Sequence, residues 1–298
     1  LNNQSSINAW AAYLAVAIFW GTTFLAIRIG VQSMPPFLMA GMRHFTAGIL
    51  ICSYFLLRGY TLPTWAQLKV CIIQGVLLLV LGNGLVSWAE LYITSGLTAL
   101  ICALSPLMII GANTLMGKKE KLTIQVVLGI LFCLLAQFLI FKNNIADLSN
   151  PNYILGIVFL LIAIASWGFG SVHIKHNPTG LHPLYAASFQ MLSGGFILLV
   201  FGSSIGEWAT FRPNDAGMYS VLYLIVFGSI VGYGSYMYIL KHLPATIVST
   251  YAYVNTIVAV ALGWLWLGET VNGIIWVAVL LTITGIYLVN TSFQKAKK

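Results

Sequence analysis

Apolar residues in this chain run in long, nearly unbroken stretches, and polar residues collect in short breaks between them. The stretches fall at 9–31, 36–57, 68–91, 94–116, 122–141, 153–174, 184–205, 217–240, 244–267 and 272–293. Each is near the ~20 residues that cross a bilayer as a helix. The pattern predicts an all-α integral membrane protein with ten transmembrane helices. The polar opening LNNQSSIN carries no cleavable signal pattern, so the first stretch is expected to stay as a span.

Composition points the same way. Of 298 residues 59% are hydrophobic and 7% charged, against about 25% charged in soluble domains. Such a chain could not cover its surface with polar groups in water. The cations then set the orientation. With the N-terminus inside, the inner segments hold Arg58, Lys69, Lys118, Lys119, Lys121, Lys175, Lys241, Lys295, Lys297 and Lys298, and the outer loops hold only Lys142 and Arg212. This positive-inside bias predicts a multi-pass protein of the plasma (inner) membrane with both termini cytoplasmic. It also explains the net charge of +8 without a nucleic-acid partner. Cys52, Cys71, Cys102 and Cys133 lie inside apolar stretches with no CxxC or Cys/His spacing. They read as small buried hydrophobes, and no metal or cofactor is expected.

The chain also repeats itself. FWGTTFLAIR at 19–28 returns as SWGFGSVHIK at 166–175, an offset of 147 residues. The same offset carries Pro36 onto Pro183, Arg43 onto Gln190 and Gly48 onto Gly195. Further on it becomes 150, setting GNG at 82–84 against GYG at 232–234 and Ser105-Pro106 against Asn255-Thr256. Five spans per unit is an odd number, so the copies run oppositely through the membrane, as in transporters that alternate access about a midplane site. The units are 1–141 and 153–298, with 142–152 as an outer linker.

These residues carry a resemblance over essentially the whole length. FWGTTF (19–24), PPFLMAGMRHFTAG (35–48), SGLTALICALSPLM (95–108), ASWGFGSVHIK (165–175) and LPATIVSTYAYVNTIVAVALGWLWLGE (243–269) resemble, in order and spacing, the drug/metabolite transporter superfamily of the EamA type. The resemblance implies a ten-helix exporter of metabolites, with amino acids among its commonest cargo. The family usually has proline where Thr256 stands, which implies a less kinked ninth helix here.

Polar side chains deep in a bilayer face the bundle interior, so polar stripes at helical spacing mark a candidate cavity. Asn83, Ser87 and Glu90 form one on the third helix; Ser229, Tyr233 and Tyr236 form another, and Tyr233 is the repeat mate of Asn83. Ser249, Tyr253 and Thr256, with Asn255 adjacent, form a third. With Trp20 and Trp167 near mid-span, and with Trp88 and Ser105, they propose an aromatic cavity with amide and hydroxyl handles. The candidate substrate-binding set is Trp20, Asn83, Trp88, Ser105, Trp167, Tyr233, Tyr253 and Asn255. Arg28, Arg43 and Glu90 are read as a gate or a structural charge group, and His44 and His173 as packed, hydrogen-bonded histidines.

The expected function is transport of a small neutral or zwitterionic solute, such as an amino acid, by alternating access and in the direction of export. The partners expected are that solute and the lipid bilayer, with the chain acting as a monomer. The alternative is a proton-coupled antiporter of drugs or amines. That chemistry wants a mid-span carboxylate, and Glu90 is the nearest one. A phosphate-ester exchanger would want clustered cations, and only Arg43 lies deep. A hydrolase would want a nucleophile beside a base, and no such pairing is legible, so no enzyme activity is expected.

Overall fold

Prolines set where several helices begin, because the ring's fixed φ suits the first turn and its missing N–H is not needed there. The computed structural model describes residues 3–93, 95–117, 123–141, 150–267 and 273–295. Pro36, Pro106, Pro151 and Pro183 open α2 (Pro36–Leu57), α5 (Ser105–Leu115), α7 (Pro151–His176) and α8 (Pro183–Ser204). The other helices are α1 (Asn3–Gly30), α3 (Trp65–Ala89), α4 (Ser95–Cys102), α6 (Ile124–Phe141), α9 (Asp215–His242), α10 (Ala245–Ser249), α11 (Tyr251–Leu267) and α12 (Gly273–Lys295). Side chains cap two further starts. Thr64 and Gln67 form a reciprocal capping box on α3, and Asn214 Oδ1 accepts from Gly217 N at 2.8 Å on α9. Gly59 and Gly206, one repeat apart, close the turns after α2 and α8 at φ +83° and +79°, where an L side chain would be strained.

Among the described residues, six helices (α1, α2, α3, α7, α8 and α9) are long and apolar enough to cross a membrane. Shorter apolar stretches lie at Ser105–Leu115, Ile124–Ala136, Ile247–Val258 and Trp276–Val289. The expectation of ten continuous spans is corrected at two places. The stretch 94–116 breaks at Ala103 and Leu104, and 244–267 breaks at Thr250. Hydroxyls donate to carbonyls beside both breaks, where a low-dielectric interior leaves no water to do so. Ser105 Oγ donates to Cys102 O at 2.5 Å, and Thr250 Oγ1 donates to Ile247 O at 2.7 Å. Thr256 lies inside α11, and the ninth stretch, expected to be less kinked, is interrupted at Thr250. Lys118, Lys119, Lys121, Lys142, Glu269, Lys297, Lys298 and residues 142–149 of the linker lie outside the described residues.

Packing runs between the two halves of the chain. α2 crosses α8, α6 packs on α12, α1 on α11 and α5 on α7, while α3 meets α7 and α9 meets α1. The α2–α8 crossing is close because its contact faces carry glycine. A Cβ on Gly48 would lie 2.8 Å from Leu192 N, and one on its mate Gly195 would lie 2.8 Å from Phe45 Cα.

Both α3 and α9 widen in mid-course. Val76–Gly84 and Leu224–Tyr233 are wound as π-helix, with i→i+5 bonding. The first contains GNG at 82–84, with Gly82 and Asn83 in the wall of the cavity described next, and the second ends at Gly232-Tyr233 of GYG.

Candidate functional site

A cavity of about 80 Å³ lies between the halves. α1 contributes Trp20, Thr23, Phe24 and Ile27; α2 contributes Arg43; α3 contributes Gly82, Asn83 and Val86. Cys102 and Ser105 flank the break between α4 and α5, and Ala163, Ile164, Trp167, Tyr251, Ala252 and Asn255 complete the wall.

Three rings of the wall, Trp20, Trp167 and Tyr251, cluster with Tyr236. Trp20 and Trp167 meet edge to face at 5.3 Å between centroids, and Tyr236 and Tyr251 each lie 5.1 Å from Trp20. Their polar atoms are engaged within the protein. Trp20 Nε1 donates to Gly228 O at 2.9 Å, Trp167 Nε1 donates to Tyr236 OH at 3.1 Å, and Tyr236 OH pairs with Ser171 Oγ at 2.5 Å. The seating is crossed: Trp167 presses on Gly82 of the other half, and Trp20 presses on Gly232. A Cβ at Gly82 would fall 2.9 Å from the Trp167 ring, so the glycines are there to admit the indoles.

Arg43 is the charged group of the wall, only 3% exposed. Its Nε donates to Ser229 Oγ at 2.8 Å and its Nη1 to Asn83 Oδ1 at 3.3 Å. Nη2 lies flush against Gly228, where a Cβ would stand 2.6 Å away. The mate of this pair sits in the second half. Tyr233 OH donates to Gln190 Oε1 at 2.6 Å, Gln190 Nε2 donates to Gln74 Oε1 at 2.6 Å, and Gln74 Nε2 lies 3.4 Å from His173 Nδ1. Tyr233, Gln190 and Gln74 are buried and none of them lines the cavity, although the Tyr233 ring stands edge-on to Trp167 of its wall at 6.3 Å. Gln74 instead borders a separate pocket of about 240 Å³ with Lys175, and His173 is half-buried.

Of the residues expected from sequence, Trp20, Asn83, Ser105, Trp167 and Asn255 line the cavity together with Arg43. With its amide oriented to suit its neighbours, Asn255 donates to Tyr251 O and Ala17 O at 3.1 and 2.6 Å. Three others stand elsewhere. Tyr233 is spent on Gln190. Tyr253 is buried beside Ala103 and Cys133. The Trp88 ring lies tilted against Phe159 at 4.4 Å and borders a wider bowl of about 610 Å³ formed with Met34, Glu207 and Arg212. The charge group separates too: Arg28 Nη1 donates to the main-chain carbonyl of Glu90, not to Arg43's surroundings, and the buried Glu90 side chain stays outside the wall. Sequence reading missed Thr23, Cys102 and Tyr251 in the wall and Gln74 in the relay. Tyr251, four residues before Asn255, was the signal available on helical spacing.

The pattern of the EamA-like transporter family matches the chain twice, at residues 8–142 and 154–291. The chain belongs to that family. Among relatives, the inner membrane transporter YedA of Escherichia coli is 37% identical over 285 residues, covering 94% of this chain and 90% of its own. The transporter YoaV of Bacillus subtilis is 23% identical over 289 residues, with 95% and 97% covered. A chloroplastic WAT1-related protein of Arabidopsis thaliana is 26% identical over 298 residues, covering 94% of this chain and 69% of its own. A solved structure superposes over 100% of both chains with a TM-score of 0.77 at 16% identity, which shows a shared fold. Family membership makes this chain a membrane-spanning transporter.

Proposed function

We propose that the chain moves a small neutral or zwitterionic metabolite, such as an amino acid, across the inner membrane by alternating access, in the direction of export. The two halves, 1–141 and 153–298, act as inverted five-helix repeats about the cavity. The observation that carries this reading is the crossed seating of Trp20 on Gly232 and Trp167 on Gly82 across the halves. An exchange of roles between such mates would open one end and close the other. Size supports motion as well. About 80 Å³ holds a few waters, at roughly 30 Å³ each, whereas sites for drug-sized ligands span about 300–1,000 Å³. The cavity would therefore have to widen to take up cargo.

Reconstituted protein is expected to exchange radiolabelled amino acids for an internal pool, and Gly232→Leu, which wedges Trp20, is expected to stop it. Absence of trans-stimulated exchange across a mixed set of amino acids would refute the reading. Orientation has its own check. A cysteine replacing Asn144 should label from outside in intact cells, and one replacing Lys119 only after permeabilisation.

The buried Glu90, whose carboxyl oxygens have no hydrogen-bond partner among the described residues, favours a second reading, proton-coupled antiport of drugs or amines. Downhill flux that continues after a protonophore is added separates uniport or exchange from it.

A further inference from the structure

We infer that the cavity receives a solute bearing a carboxylate, and that Arg43 is the group that pairs with it. This rests on the transport reading above and narrows its substrate class.

A buried guanidinium carries five N–H donors and a full charge, and leaving such a charge unpaired in a low dielectric is costly. Arg43 gives one donor to Ser229 Oγ and one to Asn83 Oδ1, both neutral acceptors. The described carboxylates are placed elsewhere. Glu207 takes the main-chain N–H groups of Phe37 and Leu38, Glu90 lies by Arg28, and Asp215 opens α9. Gly228 lets Nη2 lie flat against α9, and Asn83 fixes Nη1, so the planar fork is held in place at the cavity wall. A fixed planar fork is matched by a carboxylate.

The other half shows that the scaffold does not need the charge. At the mate position, neutral Gln190 bridges Tyr233 to Gln74 and completes that crossing. A merely structural role at position 43 could be filled in the same way. The remaining wall is aromatic. The faces of Trp20, Trp167 and Tyr251 suit an apolar body or the ammonium of a zwitterion, while a solute with an ammonium alone would meet a second cation with no anion to offset it.

The test uses full-length protein in proteoliposomes and three matched triplets: alanine, alaninamide and ethylamine; leucine, leucinamide and isopentylamine; phenylalanine, phenylalaninamide and phenethylamine. Only the free acids are expected to compete for exchange. Arg43→Gln, which installs the mate residue, should weaken binding of the competing acid about 10- to 150-fold, the range for a lost charge-assisted hydrogen bond. Arg43→Lys should recover part of it. Melting of Arg43→Gln should match wild type, because a costly charge is removed along with its bonds. Amides or amines exchanging as well as the acids, or Arg43→Gln keeping wild-type affinity, overturns the inference and leaves the transport reading standing. No exchange of any member by wild type overturns the transport reading, and the inference with it.

Discussion

Arg43 with Asn83, and Gln190 with Tyr233, occupy matching places in the two halves and make the same contact, second helix to third, with opposite consequences. The first pair lies in the cavity wall; the second is saturated by a relay through the buried Gln74 toward half-buried His173. The backbone treats the halves alike, down to the π-wound segments behind Asn83 and Tyr233. The difference lies in side-chain chemistry. A cation facing open space is suited to meet a partner that arrives, whereas amides and a phenol saturating one another are suited to hold helices together. On the transport reading the first pair meets cargo and the second holds helices together.

The comparison breaks most visibly at Gln190. Gln190→Leu strands the Tyr233 hydroxyl and the Gln74 carbonyl in the interior. An unsatisfied buried group costs about 1–3 kcal/mol, but hydrogen bonds within membranes average only about 0.6 kcal/mol, so the lower end applies to each. The expected loss is about 2 kcal/mol, read as an earlier denaturation midpoint in detergent. If Arg43→Gln lost as much stability as Gln190→Leu, the two pairs would be equivalent glue and the contrast would fail.

A smaller step separates the mates themselves. Tyr233→Phe should cost about 1 kcal/mol of stability while leaving cargo affinity unchanged, since its hydroxyl is aimed at Gln190. Asn83→Ala should do the reverse. By releasing Arg43 Nη1 it is expected to weaken cargo binding about 2- to 12-fold with little effect on melting. Isothermal titration beside a melting curve reads both, and a cargo defect in Tyr233→Phe would return that residue to the binding site.

The sequence legibly separated the two halves but not the phase of their helices. Pro36 and Pro183, Gly48 and Gly195, and the two Trp-Gly pairs announced their places because each has a backbone or packing reason to recur. Even the drift of the offset from 147 to 150 has a structural cause. The loop 58–64 has a counterpart at 205–214 that is three residues longer and holds a 3₁₀ turn at Glu207–Thr210. The stripes failed where helices depart from 3.6 residues per turn. The i→i+5 winding before Asn83 brings Gly82 and Val86 beside it and buries Ser87 and Glu90 elsewhere. The break at Thr250 rotates α11 so that Tyr251 and Asn255, rather than Tyr253 and Thr256, meet the cavity. No proline marks either departure, so periodicity alone could not reveal them.

Those two loops give the finest test of the asymmetry. Each reaches across to the other half. Thr61 O accepts from Tyr185 OH at 3.2 Å, and Glu207 accepts from Phe37 N and Leu38 N at 3.3 and 2.8 Å. Only the second contact carries a carboxyl that titrates below neutrality, and it caps the start of α2, the helix that carries Arg43. Burial pushes the Glu207 carboxyl above its usual range, and the bonds from Leu38 and Phe37 pull it back only in part. A carboxyl raised in the folded state contributes stability that is fully present below its unfolded pKa and lost as pH rises through the folded value. Melting should therefore decline as pH rises from the ordinary carboxylate range toward neutrality, and Glu207→Gln should flatten that part of the curve. The effect should stay under about 1 kcal/mol, the scale of a charge at a helix N-terminus, because the group is half in solvent. A slope of the opposite sign, with Glu207→Gln less stable at neutral pH than at pH 4, would mean that the capping bonds outweigh burial. The contact would then be an electrostatic clasp on α2, and the loops would differ in strength as well as in charge.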